Sequence, residues 1–299
     1  MTVAAKPLVE TARRPLKGGR RLSLDWIGAF PFLVYVGLFL LLPTAVVVAG
    51  SFVGPEGLTL SNLTAMNKPY IIGAFVNSVV LSAASAVIGA VLGAILAYAV
   101  ATGNPDGVLR RLVSSACGVL AQFGGVTLAF AFIATIGGAG FITLWLQQHG
   151  VDIYANGDWL YQLPGLVLVY TYFQIPLMVL VFLPALDGIR PQWREATESL
   201  GGATWHYWRY VAGPLLAPAF FGGMLLLFAN AFSAYATAAA LISQGSIIAS
   251  LQIANALTSE VGLHQPGLAS AQALAMVVIV AIVMVLYTML QRRTSKWLR

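Results

Sequence analysis

Between Arg190 and Pro214 the sequence reads RPQWREATESLGGATWHYWRYVAGP. Glu195 and Glu198 stand three residues apart, so on a helix their carboxylates share a face. Arg194 precedes Glu198 by four positions, the spacing of an intrahelical ion pair. Pro191 near the start, good helix formers after it and then Gly201-Gly202 predict a helix that stops at a glycine turn. Trp205, Tyr207, Trp208 and Tyr210 follow in a stretch that restarts a helix. The plainest reading is an amphipathic connector lying at a membrane interface. That accounts for the aromatic rings, and less well for paired glutamates beside a tight glycine turn.

Other chemistry is sparse. His149, His206 and His264 fall in different loops, and Cys117 is the only cysteine, so neither a disulfide nor a metal site is expected. There is no G-x-x-x-x-G-K-[ST] loop to bind and hydrolyse a nucleotide. No Asp, Glu, Lys, Arg or His falls clearly inside the long apolar stretches, which argues against a proton pump or a membrane-embedded metalloenzyme. Catalytic residues and bound cofactors are therefore not expected on this chain. Asn77, Gln122, Gln174 and Asn230 lie in or near apolar stretches. They are candidates for lining a solute pathway. The competing reading is hydrogen bonding between helices, worth about 1 kcal/mol or less per pair. Gly89 and Gly93 form a G-x-x-x-G that suits close helix packing.

The elements that hold these residues follow from composition. The 299 residues are 59% hydrophobic and 9% charged, with mean hydropathy +0.84. A soluble domain carries about 25% charged residues, so the chain is read as an all-α, polytopic membrane protein. Six transmembrane helices are predicted at about 26–49, 72–101, 112–136, 166–186, 211–231 and 269–290. Residues 26–290 form the membrane domain, flanked by basic segments 1–25 and 291–299. The first apolar stretch has no small-residue cleavage site and reads as a retained anchor. Fifteen of the sixteen Lys and Arg residues fall before the first span, in 102–111, in 187–210 or after the last span, and Lys68 is the exception. With six spans these segments share one side, which the positive-inside rule makes cytoplasmic, as it does both termini. The positive net charge is thus spent on topology and anionic lipid, with no need for nucleic acid. On the other side, a short interfacial helix is expected at Phe141–Gln148, and the broken apolar stretch within 232–268 is expected to fold back against the bundle.

The 190–214 segment resembles the EAA loop of permease subunits from binding-protein-dependent ABC importers. That pattern runs E-A-A, three residues, G, nine residues, I, one residue, L-P. Glu195, Ala196, Gly201 and Pro214 match it, Val211 stands for Ile, and Thr197 and Gly213 depart from it. The departures are expected to weaken helix packing. The resemblance covers about residues 70–290 and implies a type I importer fold in the bacterial inner membrane. It implies half of a pore, completed by a second permease subunit, with a heterodimer favoured over a homodimer. It also implies an ATPase dimer carrying ATP and Mg, and an extracytoplasmic solute-binding protein. Glu195, Ala196, Glu198, Gly201, Gly202, Trp205 and Pro214 become the ATPase-coupling residues. Trp205 and Trp208 are assigned by residue type to the interface or the ATPase cleft. Leu200 stands where sugar importers often carry Asp, so a small polar solute, polyamine- or aminophosphonate-like, is favoured over a disaccharide. The contrasting class is an ATP-independent carrier or channel.

Overall fold

The computed structural model describes residues 25–54, 57–104, 106–155, 157–242, 247–258 and 265–295. Most of the basic N-terminal segment, the end of the C-terminal tail, Glu56, Glu260 and His264 lie outside the described residues. The chain divides into two units, residues 1–46 and 47–299. In the first, α1 (Asp25–Val36) passes through a π-turn at Gly37–Leu41 into the start of α2 (Leu42–Ser51), whose last five residues count with the second unit. Pro31 lies inside α1 and Pro43 opens α2.

The second unit is helical apart from a small hairpin of β1 (Val53–Gly54) and β2 (Gly57–Leu58). A single turn, α3 (Ser61–Thr64), follows. Asn62 on it donates through Nδ2 to Val53 O at 2.9 Å. The long α4 (Pro69–Ala101) begins with proline at its first position, where no amide donor is needed. Its partner is α8 (Leu163–Asp187), and these two form the most extensive helix pair of the unit. Glycine explains the closeness. A Cβ on Gly89 would lie 2.5 Å from Gln174 Cβ, and one on Gly93 would lie 2.5 Å from Met178 Cβ and 2.7 Å from Ile175 O. The two glycines of the G-x-x-x-G therefore let the backbones meet, as the spacing suggested. Next, α11 (Gly213–Ser233) packs on both α4 and α8, and α14 (Pro266–Ser295) packs on α11.

Six stretches among the described residues are long and apolar enough to cross a membrane: Phe30–Ser51, Pro69–Ala101, Val126–Gln148, Leu163–Asp187, Thr204–Ser233 and Pro266–Leu290. Five agree with the sequence expectation. The third does not form as a single helix over 112–136. Instead α5 (Val108–Leu120) ends, residues 121–125 are irregular, and α6 (Val126–Ile136) begins. Gly125 has φ +74°, a backbone state that favours glycine and breaks the helix. The apolar stretch 126–148 joins α6 to α7 (Phe141–Gln148), the helix expected at those residues.

The segment after α11 also folds as expected of a stretch too broken to span. It forms α12 (Ala236–Leu241), which packs on α6, and α13 (Ala249–Thr258), which packs on α14 and α4. Asn77 Nδ2 donates to Ile247 O at 3.1 Å, and the Ala249 amide donates to Ser78 Oγ at 2.8 Å, so α4 pins the start of α13. Two apolar clusters fill the unit. One gathers Leu81, Leu128, Tyr170, Ala238 and Leu251, and the other gathers Ala97, Cys117, Met178, Phe182 and Leu216. At the second cluster's end of the bundle, Arg110 on α5 pairs with Asp187 at the end of α8.

Candidate functional site

The 190–212 segment folds from local rules. Its first helix, α9 (Pro191–Ser199), starts with proline and ends in a complete Schellman cap. The Gly201 amide donates to Glu198 O at 2.9 Å, and the Gly202 amide donates to Thr197 O at 2.9 Å. This cap requires Gly201 in the left-handed region, where it has φ +77°. Gly202 is glycine for another reason: a Cβ there would sit 2.8 Å from Thr197 Cγ2 and 2.9 Å from Thr197 O. Arg194 Nε donates to Glu198 Oε1 at 3.0 Å, the pair expected from the spacing. Glu195 and Ala196 are exposed on the same short helix. Leu200, at 89% exposure, projects from the turn without packing.

After the turn, α10 (Thr204–Tyr207) begins where the Ala203 amide donates to His206 Nδ1 at 3.2 Å. The helix then widens into a π-turn over Trp208–Ala212 and continues as α11. Gly213 donates its amide to Trp208 O, five residues back, and a Cβ on Gly213 would lie 2.5 Å from that oxygen. The departure at Gly213 is therefore tied to the π-turn, and Gly213 also lines an apolar cavity of about 370 Å³ with Tyr98, Phe182 and Leu216. Pro214 follows, and having no amide it makes no bond back into the π-turn. The two tryptophans separate. Trp208 is half-buried and meets Tyr98 of α4 edge to face at 5.4 Å, whereas Trp205 is 65% exposed with Arg209 5.9 Å from its ring. Trp208 thus holds the segment to the bundle, and Glu195, Leu200 and Trp205 form its free face.

The four candidate pathway residues also separate. Asn77 is engaged by Ile247, and Gln174 is fully buried with Nε2 donating to Leu227 O at 2.8 Å. Gln122 and Asn230 come together. They line a cavity of about 300 Å³ with Gly125, Phe173, Tyr235 and Thr237. The cavity lies where two helix breaks face each other: residues 121–125 between α5 and α6, and residues 234–235 between α11 and α12. The Gly125 amide donates to Thr237 Oγ1 at 2.9 Å and ties the two breaks together. Phe173 is ten residues from the start of α8 and fourteen from its end, about 15 Å and about 21 Å along the axis. The cavity is therefore level with the middle of a spanning helix. Sequence reasoning passed over Gly125 and Thr237. The Gly124-Gly125 doublet inside an apolar stretch was the available signal. The Arg110–Asp187 pair was also passed over, although both charges stand at the ends of apolar stretches.

Residues 128–296 match the family described as binding-protein-dependent transport system inner membrane component. The chain belongs to this family. It is accordingly a multi-pass protein of the bacterial inner membrane and a non-catalytic membrane component. Among curated relatives, the sulfate transport system permease protein CysT of Escherichia coli K12 is 28% identical over 164 residues, 55% of this chain and 54% of the relative. The thiamine transport system permease protein ThiP of the same organism is 27% identical over 108 residues, 36% of this chain and 20% of the relative. The chain thus spans about half the length of the first of these and a fifth of the second. Among solved structures, a bacterial ABC transporter involved in import of the acidic polysaccharide alginate superposes with TM-score 0.70 at 16% identity, over 90% of this chain and 95% of that one. That likeness establishes the ABC importer permease fold.

Proposed function

We propose that this chain is the permease subunit of an ATP-driven ABC importer and forms half of its solute pore. The observation that carries the reading is the capped, exposed α9–turn–α10 segment, continuous through a π-turn with the spanning α11. A force applied to α9 is delivered directly to a spanning helix. The segment docks in a cleft of a cytoplasmic ATPase, with Glu195, Ala196 and Glu198 on the contacting helix and Gly201-Gly202 shaping the turn. Trp205 extends the contact, and Pro214 opens the span that receives the motion. ATP and Mg reside on the ATPase dimer. A second permease subunit, in a heterodimer, completes the pore, and an extracytoplasmic binding protein delivers the solute. Both termini and the basic segments face the cytoplasm and its anionic lipid. The solute is small and polar, of the polyamine or aminophosphonate kind, a reading supported by Leu200 before the turn glycine and by the uncharged polar cavity.

The test is uptake into vesicles holding this chain with its ATPase, second permease and binding protein. Glu195→Ala and Gly201→Val are expected to leave ATP hydrolysis by the isolated ATPase intact and to abolish ATP-driven uptake. Normal uptake in both variants would sink the docking assignment. Uptake without ATP, in vesicles holding only this chain, would sink the importer reading in favour of a carrier or channel. Putrescine, 2-aminoethylphosphonate, sulfate, thiamine and maltose serve as the solute panel.

A further inference from the structure

The cavity between the two helix breaks has a composition and a depth that a packing defect would not have. Irregular backbone at membrane depth is tolerated only where protein or a water-filled cavity satisfies it. Here two breaks fall at one level and face the same space. The lining supplies the carboxamides of Gln122 and Asn230 and the phenol of Tyr235. Among the described residues, none of these three side chains has a hydrogen-bond partner. All three side chains are exposed at the open side of a cavity of about 300 Å³, the lower end of the usual size range for a small-molecule site, and their donors and acceptors are free to meet a ligand there. Phe173 and Tyr235 add apolar walls.

The charge of the ligand is read from this chain's share of the lining. Among the described residues, no Asp, Glu, Lys, Arg or His lines the cavity. A solute with net charge would leave water for this site without a counter-charge, at a cost that grows with depth. The carboxamides each offer both donors and acceptors. The helix ends beside the cavity are largely paired within the protein: Val119 O and Leu120 O accept the Gln122 and Phe123 amides, Asn230 O and Ala231 O accept Ser233 Oγ and the Ala234 amide, and the Gly125 amide is held by Thr237. Recognition therefore falls to the side chains, whose donors and acceptors suit a solute that carries both an ammonium and an anionic group.

We infer that this cavity is a solute-binding station within the membrane, built from Gln122, Asn230, Tyr235 and the broken backbone, and that it takes a small zwitterion. The inference rests on the importer reading and narrows it: within the polyamine-or-aminophosphonate class, the zwitterion fits this lining and the polycation does not.

The single Cys117 is buried, so a Cys117→Ala chain provides a background for cysteine accessibility in the assembled complex. Asn230→Cys and Gln122→Cys are treated with a membrane-impermeant methanethiosulfonate reagent. Ala90→Cys, at a fully buried position of α4, is the control. Both cavity positions are expected to react about tenfold faster than the control, and 2-aminoethylphosphonate is expected to slow them about fivefold. Reaction no faster than the control overturns the aqueous cavity. Reaction that no solute slows, or that putrescine, sulfate or maltose slows more than the zwitterion, overturns the site or its class. A second variant needs no cysteine. Asn230→Asp places a bare negative charge in the cavity and is expected to cut zwitterion uptake about tenfold relative to putrescine uptake, whereas an unchanged ratio overturns the proposal. The ATP dependence of wild-type uptake is measured in the same vesicles. Protection at Asn230→Cys with ATP-independent uptake would spare the site and sink the importer reading, and the reverse result would do the opposite.

Discussion

Replacing Gly201 in turn by asparagine, alanine and valine isolates one physical term, the cost of a left-handed residue. At φ +77° a side chain is strained by its own backbone, yet a Cβ at Gly201 would meet nothing within 4 Å. Contact at the Cβ therefore adds nothing, and conformational preference is the property in which the three variants are compared. Alanine in this region costs about 1–2 kcal/mol. Asparagine visits it more readily and costs less, while a β-branched valine costs more. Because the Schellman cap needs this φ, the cost falls on the population of the capped turn. A cost of 1–2 kcal/mol lowers that population roughly 5- to 30-fold relative to open forms. The assay is ATP-driven uptake by the reconstituted complex, with copurification of the ATPase as a second readout. The expected order is glycine, asparagine, alanine, valine. The neighbouring Gly202→Ala supplies the contrast. It lies outside the left-handed region, and its cost comes from the approach of Thr197, so Thr197→Ala should relieve it only in part, the Thr197 carbonyl remaining in place. Valine at 201 working as well as asparagine would refute the claim that the turn's handedness governs coupling.

The other expectations concern the scaffold. Gly93→Ala forces α4 and α8 apart and should cost about 1–3 kcal/mol, whereas Gly73→Ala, on the same helix with open space around it, should gain about 0.5–1 kcal/mol; detergent unfolding of the two variants in the same direction would refute the close-approach account. Removing either member of the partly exposed Arg110–Asp187 pair should cost only about 0.2–1 kcal/mol. The reversed pair Arg110→Asp/Asp187→Arg should recover most of that loss in thermal unfolding, and no recovery would mean that the pairing is incidental. Asn77→Ala leaves Ile247 O without its donor and should loosen the start of α13 by about 0.5–1.5 kcal/mol. Faster hydrogen exchange confined to residues 247–258 is the measurement, and a uniform increase across the unit would contradict it.

Much of this architecture was legible before any coordinates. Long apolar runs are a strong signal because lipid forces backbone groups to pair within the segment. Pro191 and Gly201 mark the two ends of α9 because their constraints act within a few residues. The third span was misjudged for a related reason. Hydropathy averages over Gly124-Gly125, so a break that costs no apolar character leaves no trace in the average. Gln122 and Asn230 could not be told from Asn77 and Gln174 by sequence, since which side chain faces a cavity depends on the phase of each helix against its neighbours. That phase is set by contacts such as Gly89 on Gln174, distant in sequence. The π-turn before Gly213 left no mark in the sequence because a helical pattern assumes α geometry, whereas the Gly213 amide reaches Trp208 O, five residues back.

The π-turn over Trp208–Ala212 sets an angular phase between the coupling segment and the pore. A π-turn takes up one residue more than an α-turn. One residue corresponds to about 100° of rotation and about 1.5 Å of advance along a helix. Everything before Trp208 therefore points in a direction that a continuous α-helix of the same sequence would not give it. If that turn tightened to α geometry, the exposed face of α10 would swing through a quarter turn or more without any change in α11. The joint can thus store or release twist between the two elements, so a push on α9 can reach the span as rotation as well as displacement.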